Sequence, residues 1–339
     1  MALLSIILPV YNVASFLRQS LDSIFLQPES KDCEVILIND GSTDNSLQIA
    51  IEYAEKYENI HVIDKGNEGV SATRNQGIEA SHGDYLFFMD SDDILHPKAL
   101  RIIFESLTKH NPDILTWQYA TFYTRPKYAR GFSQKELIPL NQNPQEAFNK
   151  LMTLGFAVSL WTKAFRRELF DDKIRFDSNM SYGEDMFFCW KSILLAKKIM
   201  YIPFPLYYYR QSGCSAVSRY HDALYEKYRI AFDEIYDFAT ERNMMTEDVS
   251  KDIDYHFAYC LSSLTLMEAK APYSLQEKEE HLLTIIHDTR IERALRNDSR
   301  LSAPIYTLAR KSEVHKMLAN AKRIQLKSRL LFPLKKLLK

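Results

Sequence analysis

The 339-residue chain reads as an α/β protein: a mainly parallel sheet with helices on both faces, followed by a helical C-terminal region. Three observations predict this. Short apolar runs alternate with amphipathic segments through roughly the first third of the chain. Polar clusters follow those runs directly, at residues 9–12, 39–42 and 90–93, the strand ends where ligands collect in such sheets. From about Ser218 onward the spacing is helical and no convincing strand remains.

The elements follow in order. A β-rich run over 4–8 precedes a helix over 13–25, with Phe16, Leu17, Leu21, Ile24 and Phe25 on one face. A strand over 34–38 leads to a helix over 44–57, for which Thr43 and Asp44 supply the capping residues. A short strand at 61–63, a helix over 69–80 and a wholly apolar strand over 85–89 come next. Pro97 occupies the first turn of a helix over 97–109, and 114–123 is a fifth strand. Residues 124–145 read as a polar loop, 147–154 and 186–196 as helices, and 201–210 as an aromatic, proline-rich stretch. A boundary near 215–220 divides a unit 1–217, itself split near residue 122, from a helical region 218–339.

Composition narrows the function. Hydrophobic residues at 46% and charged residues at 26% describe an ordinary globular chain and exclude disorder. A net charge of −1 gives no overall field for nucleic acid, so no such partner is expected. Cys33, Cys189, Cys214 and Cys260 form no CxxC pair, which excludes the usual zinc and redox motifs. Cys33 and Cys189 sit among apolar residues and read as small buried hydrophobes. No leader peptide and no run approaching the roughly 20 apolar residues of a membrane span is visible, so a cytoplasmic location is expected.

Five motifs carry chemistry. Asp90-Ser91-Asp92-Asp93 leaves the apolar strand as a cluster of like charges, which a divalent cation would stabilise; the plainer reading is a solvated acidic turn. Asn39-Asp40-Gly41-Ser42-Thr43-Asp44 offers Asp40 to a base or ribose, with Gly41 permitting the tight turn. Pro9-Val10-Tyr11-Asn12 places an aromatic ring at a strand end, where it stacks on a nucleobase or joins the core. The tract 66–77 is Gly-rich but fits neither dinucleotide nor P-loop patterns; Arg74 within it either reaches a diphosphate or is a surface arginine. Gly183-Glu184-Asp185 starts a helix, so its acids are either a general base or, more simply, helix N-terminal residues.

Taken in order, these motifs resemble family 2 glycosyltransferases of the GT-A fold, over roughly residues 3–215. The tract 160–170 is similar to a segment common in that family. The resemblance implies a Rossmann-like nucleotide-diphospho-sugar fold with a nucleotide half (about 1–122) and an acceptor half (about 123–217). It implies that Pro9, Tyr11 and Asp40 hold the nucleobase, that Asn12, Arg74 and Ser91 lie near the nucleotide, that Asp90 contacts ribose or metal, and that Asp92 ligates Mn2+ or Mg2+. Asp185 would be the base, with Glu184 beside it, in an inverting transfer from a UDP-sugar. Relatives often carry Asp-Asp where this chain has Asn39-Asp40. Some supply a metal-binding histidine where this chain has Arg210, so Arg210 and Ser215 are expected either to neutralise the diphosphate or to be surface loop residues.

After Glu313 no acidic residue occurs, while Lys316, Lys322, Arg323, Lys327, Arg329, Lys335, Lys336 and Lys339 follow. With its leucines, the segment 321–339 is expected to lie on an anionic membrane surface at the inner face of the cell membrane, or else to pack on its own domain or in a homodimer. Pro333 is expected to interrupt a long helix there. The implied activity is synthesis of a surface polysaccharide (capsule, exopolysaccharide or O-antigen) on a glycan or lipid-linked saccharide acceptor. Two rivals are a sugar nucleotidyltransferase, whose expected Gly-rich loop is missing from residues 9–20, and a non-catalytic glycan-binding protein of the same fold.

Overall fold

The computed structural model describes residues 2–131, 137–140, 158–170, 174–180, 183–211 and 223–338, the last helix from 327 onward by its backbone alone. The chain divides into two compact units, Met1–Gln211 and Ser212–Lys339.

The first unit is built on one sheet. Its strands are β1 (Leu4–Val10), β2 (Cys33–Asp40), β3 (Ile60–Lys65), β4 (Tyr85–Phe88), β5 (Ile94–Leu95), β6 (Ile114–Phe122), β7 (Ile138–Pro139), β8 (Lys163–Arg166) and β9 (Ile199–Arg210). They run in the order β3-β2-β1-β4-β8-β6-β9-β5, and β7 also pairs with β9. The first four are mutually parallel, as the alternating pattern predicts. Every residue of β2 and β4 is buried, the mark of parallel strands covered on both faces. Helices α1 (Ala14–Phe25), α2 (Ser46–Lys56) and α4 (Ala99–His110) cover one face with Leu17, Leu21, Ile49, Leu100 and Ile103. On the other face α3 (Val70–Ala80) and α5 (Glu184–Leu195) pack against Ile7, Ile38 and Phe88.

Beyond β4 the sheet is mixed rather than mainly parallel. The short strand β8 inserts antiparallel to both β4 and β6; with only two apolar residues between Lys163 and Arg166, it has no readable strand pattern. The stretch around 201–210 is not an irregular segment but most of β9, parallel to β6. Pro203 and Pro205 fall where the register slips, Trp117 facing Ile202 and Gln118 facing Pro205, so the bulge absorbs two residues unable to donate to a ladder. Because β8 runs downward, its start at Lys163 lies at the same edge of the sheet as the ends of β1, β2, β4, β6 and β9. The expected helix over 147–154 lies outside the described residues.

The second unit is helical among its described residues, with α6 (Leu224–Glu241), α7 (Glu247–Tyr259), α8 (Leu261–Lys270), α9 (Leu275–Ile286), α10 (Thr289–Asn297), α11 (Pro304–Arg310) and α12 (Val314–Leu338). Thr246, Ser274 and Asp288 cap α7, α9 and α10 through their side chains, and Ser274 with Glu277 forms a capping box. Pro333 does not end α12, contrary to expectation. A proline removes one backbone donor, a local loss that a long helix survives when the turns on either side stay bonded. No described helix is long and apolar enough to cross a membrane. Cys33, Cys189 and Cys260 are buried and free.

Helix α3 approaches the sheet closely at Gly77, where an added Cβ would stand 2.4 Å from Ile7 and 3.1 Å from Ile38. Gly77→Ala should therefore lower the unfolding free energy by about 1–3 kcal/mol through overpacking. Urea titration of both proteins checks this, and an unchanged midpoint would show that α3 lifts off the sheet without cost.

Candidate active site

Strand β4 delivers the acidic turn. Asp93 N–H donates to the Asp90 carbonyl at 3.2 Å and closes it. The turn is then fixed from β9. The Tyr207 hydroxyl accepts Asp90 N–H at 3.1 Å and donates to Asp93 Oδ2 at 2.7 Å, while Arg210 N–H donates to Asp93 Oδ1 at 2.6 Å. Asp93 is thus a buried brace. Burial, together with the charges of Asp92 and Asp90, pushes its carboxyl well above the usual range. Ser91 is buried within the turn. Asp92 is partly exposed, and burial plus the adjacent Asp90 charge push it up to about 6.

Arg74 draws a second acidic group to the same place. Helix α3 starts after Gly69, whose positive φ of 90° turns the chain into it. The guanidinium of Arg74 is buried: Nη1 donates to Glu184 Oε1 at 2.9 Å and to Asp185 Oδ1 at 2.5 Å, and Nη2 to Asp90 Oδ1 at 3.3 Å. The acids enter at the first turn of α5, where the helix dipole favours them. Phe176 lies 5.4 Å from the guanidinium, and Asn75 pins the Phe176 backbone with hydrogen bonds of 2.8 and 2.9 Å. Residues 74, 90, 184 and 185, distant in sequence, therefore meet. Burial and the charges of Glu184 and Asp90 push Asp185 well above the carboxylate range, against the pull of Arg74.

Other expected site residues are placed differently. Tyr11 stands at the end of β1, 54% exposed, with Pro9 half-buried beneath. Asn12 stitches two loops together: its Oδ1 accepts from Thr43 N–H at 2.7 Å and Asp44 N–H at 3.3 Å. Asp40 is buried, and its oxygens accept from Lys65 Nζ at 2.5 Å, Glu68 N–H at 2.9 Å and Gly69 N–H at 2.9 Å, holding the loop ahead of α3. Arg210 is not a free surface cation. Nε donates to the Asp92 carbonyl at 2.6 Å and Nη2 to Gln19 at 2.7 Å, with Phe16 and Phe122 flanking it. Ser215 lies outside the described residues. Tyr207, the hydroxyl that fixes the turn, was not legible as a site residue; its only signal is the alternation of Tyr207 and Tyr209 on one face of an aromatic run.

The donor set suits a hard divalent cation. Asp92 and Asp90 offer carboxylate oxygens in an acid-rich spot, and Asp90 keeps an oxygen that Arg74 does not engage. Among the described residues no group of three or more His, Cys, Asp or Glu is arranged to hold a metal alone.

Residues 5–172 match the family model for glycosyl transferase family 2. The chain is a family 2 glycosyltransferase. The glycosyltransferase is 29% identical over 265 residues to the putative glycosyltransferase EpsH of Bacillus subtilis, covering 76% of each chain. It is 32% identical over 211 residues to the poly(ribitol-phosphate) beta-glucosyltransferase of Bacillus spizizenii, covering 61% of this chain but only 32% of that one. Its fold is similar to that of S. aureus TarS 1-349 in complex with UDP-GlcNAc, with a TM-score of 0.69 at 22% identity over 96% of this chain and 92% of that one. The catalytic unit accordingly has the GT-A architecture.

Removing Arg74 leaves buried carboxylates with no counter-ion. Arg74→Ala should cost this glycosyltransferase about 3–5 kcal/mol at pH 8. The sign with pH follows from linkage. Asp185 and Asp90 titrate above their unfolded range, and loss of the cation raises them further. The deficit is thus largest where they are ionised and shrinks as pH falls through the raised values. Chemical unfolding at pH 8 and pH 5 checks this; a deficit that is constant or grows at pH 5 contradicts it.

Proposed function

We propose that this glycosyltransferase moves a sugar from a UDP-sugar to a hydroxyl of a glycan or lipid-linked saccharide, with inversion, in cell-surface polymer synthesis. The observation that carries the reading is the convergence of Asp90, Glu184 and Asp185 on Arg74, with Asp92 beside Asp90. The bound UDP-GlcNAc of the TarS structure and the poly(ribitol-phosphate) in the name of the B. spizizenii relative support the choice of donor and acceptor class.

The chemistry follows from the residues. Tyr11, exposed at the end of β1, stacks on the base, and the backbone of the stitched 12–14 and 42–46 loops lines the nucleotide side. A divalent cation, held by Asp92 and Asp90, would offset the charge gained by the departing diphosphate. Asp185 takes the proton of the acceptor hydroxyl. The freed oxygen attacks the anomeric carbon, and the electron pair of the sugar–phosphate bond leaves on the diphosphate. Asp185 rather than Glu184 fits this part, because its side chain is 26% exposed against 13% for Glu184. Its raised proton affinity makes it the stronger base. Arg74 opposes that rise.

A panel of UDP-sugars, assayed for UDP release with and without Mn2+ or Mg2+, tests the reading. Transfer should need the metal and fall about 10²–10⁴-fold in Asp185→Asn, with UDP binding unchanged. Asp92→Asn should lose the response to metal. Metal-independent transfer, or an active Asp185→Asn, would overturn these roles.

The tail supports membrane docking. On α12, Ile324 and Leu326 are 57% and 60% exposed beside Lys322 and Arg323. The full chain should co-sediment with phosphatidylglycerol vesicles and not with phosphatidylcholine, and high salt or Ile324→Glu with Leu326→Glu should release it. Equal binding to both vesicles contradicts an anionic surface site.

A further inference from the structure

We propose that Tyr119, Trp161 and Tyr209 form the shelf on which the acceptor's sugar ring stacks. The inference rests on the transferase reading above and adds to it the place of the acceptor.

Trp161 lies on a single turn, Leu160–Thr162, just before β8. Its indole stacks on Tyr207 at 4.8 Å and 23°, and on Tyr209 at 5.3 Å and 12°, while Tyr119 meets it edge-on at 4.7 Å. Tyr207 is the residue whose hydroxyl fixes the acidic turn. The shelf is therefore one ring removed from Asp90 and Asp93. Tyr209 extends it toward the same acids: it directly precedes Arg210, whose N–H donates to Asp93 Oδ1 at 2.6 Å. Tyr119 is 37% exposed, and Trp161 and Tyr209 are half-buried, so ring surface faces solvent beside the carboxylates.

The turn is held from below. Lys163, fully buried, donates through Nζ to the Ser159 carbonyl at 2.7 Å, and Thr162 Oγ1 donates to the same oxygen at 2.8 Å. Burial pushes Lys163 down to about 8.

Sheet order decides which sugar belongs there. The proposed nucleotide loops follow β1 and β2 on one side of β4, and the shelf rises from β8, β6 and β9 on the other. Direct displacement needs the attacking hydroxyl opposite the departing diphosphate, so the shelf is on the acceptor's side. Sugar rings present apolar C–H faces, and binding sites orient such faces on aromatic rings with a few polar groups beside them.

The test uses the full-length enzyme. Trp117 and Trp190 are buried, so acrylamide quenching of tryptophan fluorescence reports chiefly on Trp161. Methyl glycosides and short oligosaccharides of glucose, galactose and N-acetylglucosamine should protect it, and UDP-sugar alone should not. In transfer assays Trp161→Ala should raise the acceptor KM about tenfold, with the donor KM and donor hydrolysis within about twofold. Trp161→Phe should restore most of the loss. Protection by UDP-sugar, or a rise in the donor KM alone, would make the shelf a donor site and overturn the proposal. So would unchanged kinetics, or no protection by any saccharide. If Trp161→Ala fails to fold, Tyr119→Ala carries the same test. A lack of UDP release from every UDP-sugar would defeat the transferase reading instead, while the quenching result would still judge the shelf.

Discussion

The site depends on one buried cation. Arg74 is the meeting point of β4 and α5, and without it three carboxylates from distant parts of the chain would have no reason to share a hollow. Like charges at such distances repel strongly where water is scarce. The guanidinium offsets part of that penalty through three hydrogen bonds, and its planar fork sets where Asp185 and Glu184 point. The resemblance implies an arginine along the nucleotide; in this fold its guanidinium bonds Asp90, Glu184 and Asp185.

The acidic turn shows how adjacent aspartates take different work from their surroundings. Asp93 faces inward, bonded by Tyr207 and Arg210. Asp90 faces Arg74. Asp92 is partly exposed, and a cation beside it would relieve a carboxyl pushed up to about 6 by burial and a neighbouring charge. Strand β9 matters as much as β4, because Tyr207 and Arg210 give the turn its shape. The aromatic face of that strand then continues outward as the proposed acceptor shelf.

Much of the first unit was legible in the sequence. Four parallel strands and their helices follow from apolar periodicity, and the acidic turn, Arg74 and Glu184-Asp185 were all singled out from their motifs. What escaped is of two kinds. Strand β8 is too short and too charged at its ends to show a period, and β9 carries prolines that argue against a strand until the bulge accommodates them. The directions of side chains also escaped. Asp40 and Asn12 stand at strand ends suited to a ligand, yet their oxygens are taken by neighbouring backbone N–H groups, and no motif reveals which partner a side chain meets in three dimensions. Pro333 misled for a related reason: a rule about single residues gave way to the length of the helix around it.

The central claim is that Arg74 stays with the carboxylates while the cation sits on Asp92. A crystal structure of the enzyme with UDP and Mn2+ measures this directly, through the anomalous signal of manganese. The expected result is a peak beside Asp92, touching the diphosphate, with Arg74 still bonded to Glu184 and Asp185. A peak remote from Asp92, or Arg74 swung onto the diphosphate with Asp185 released, would contradict it.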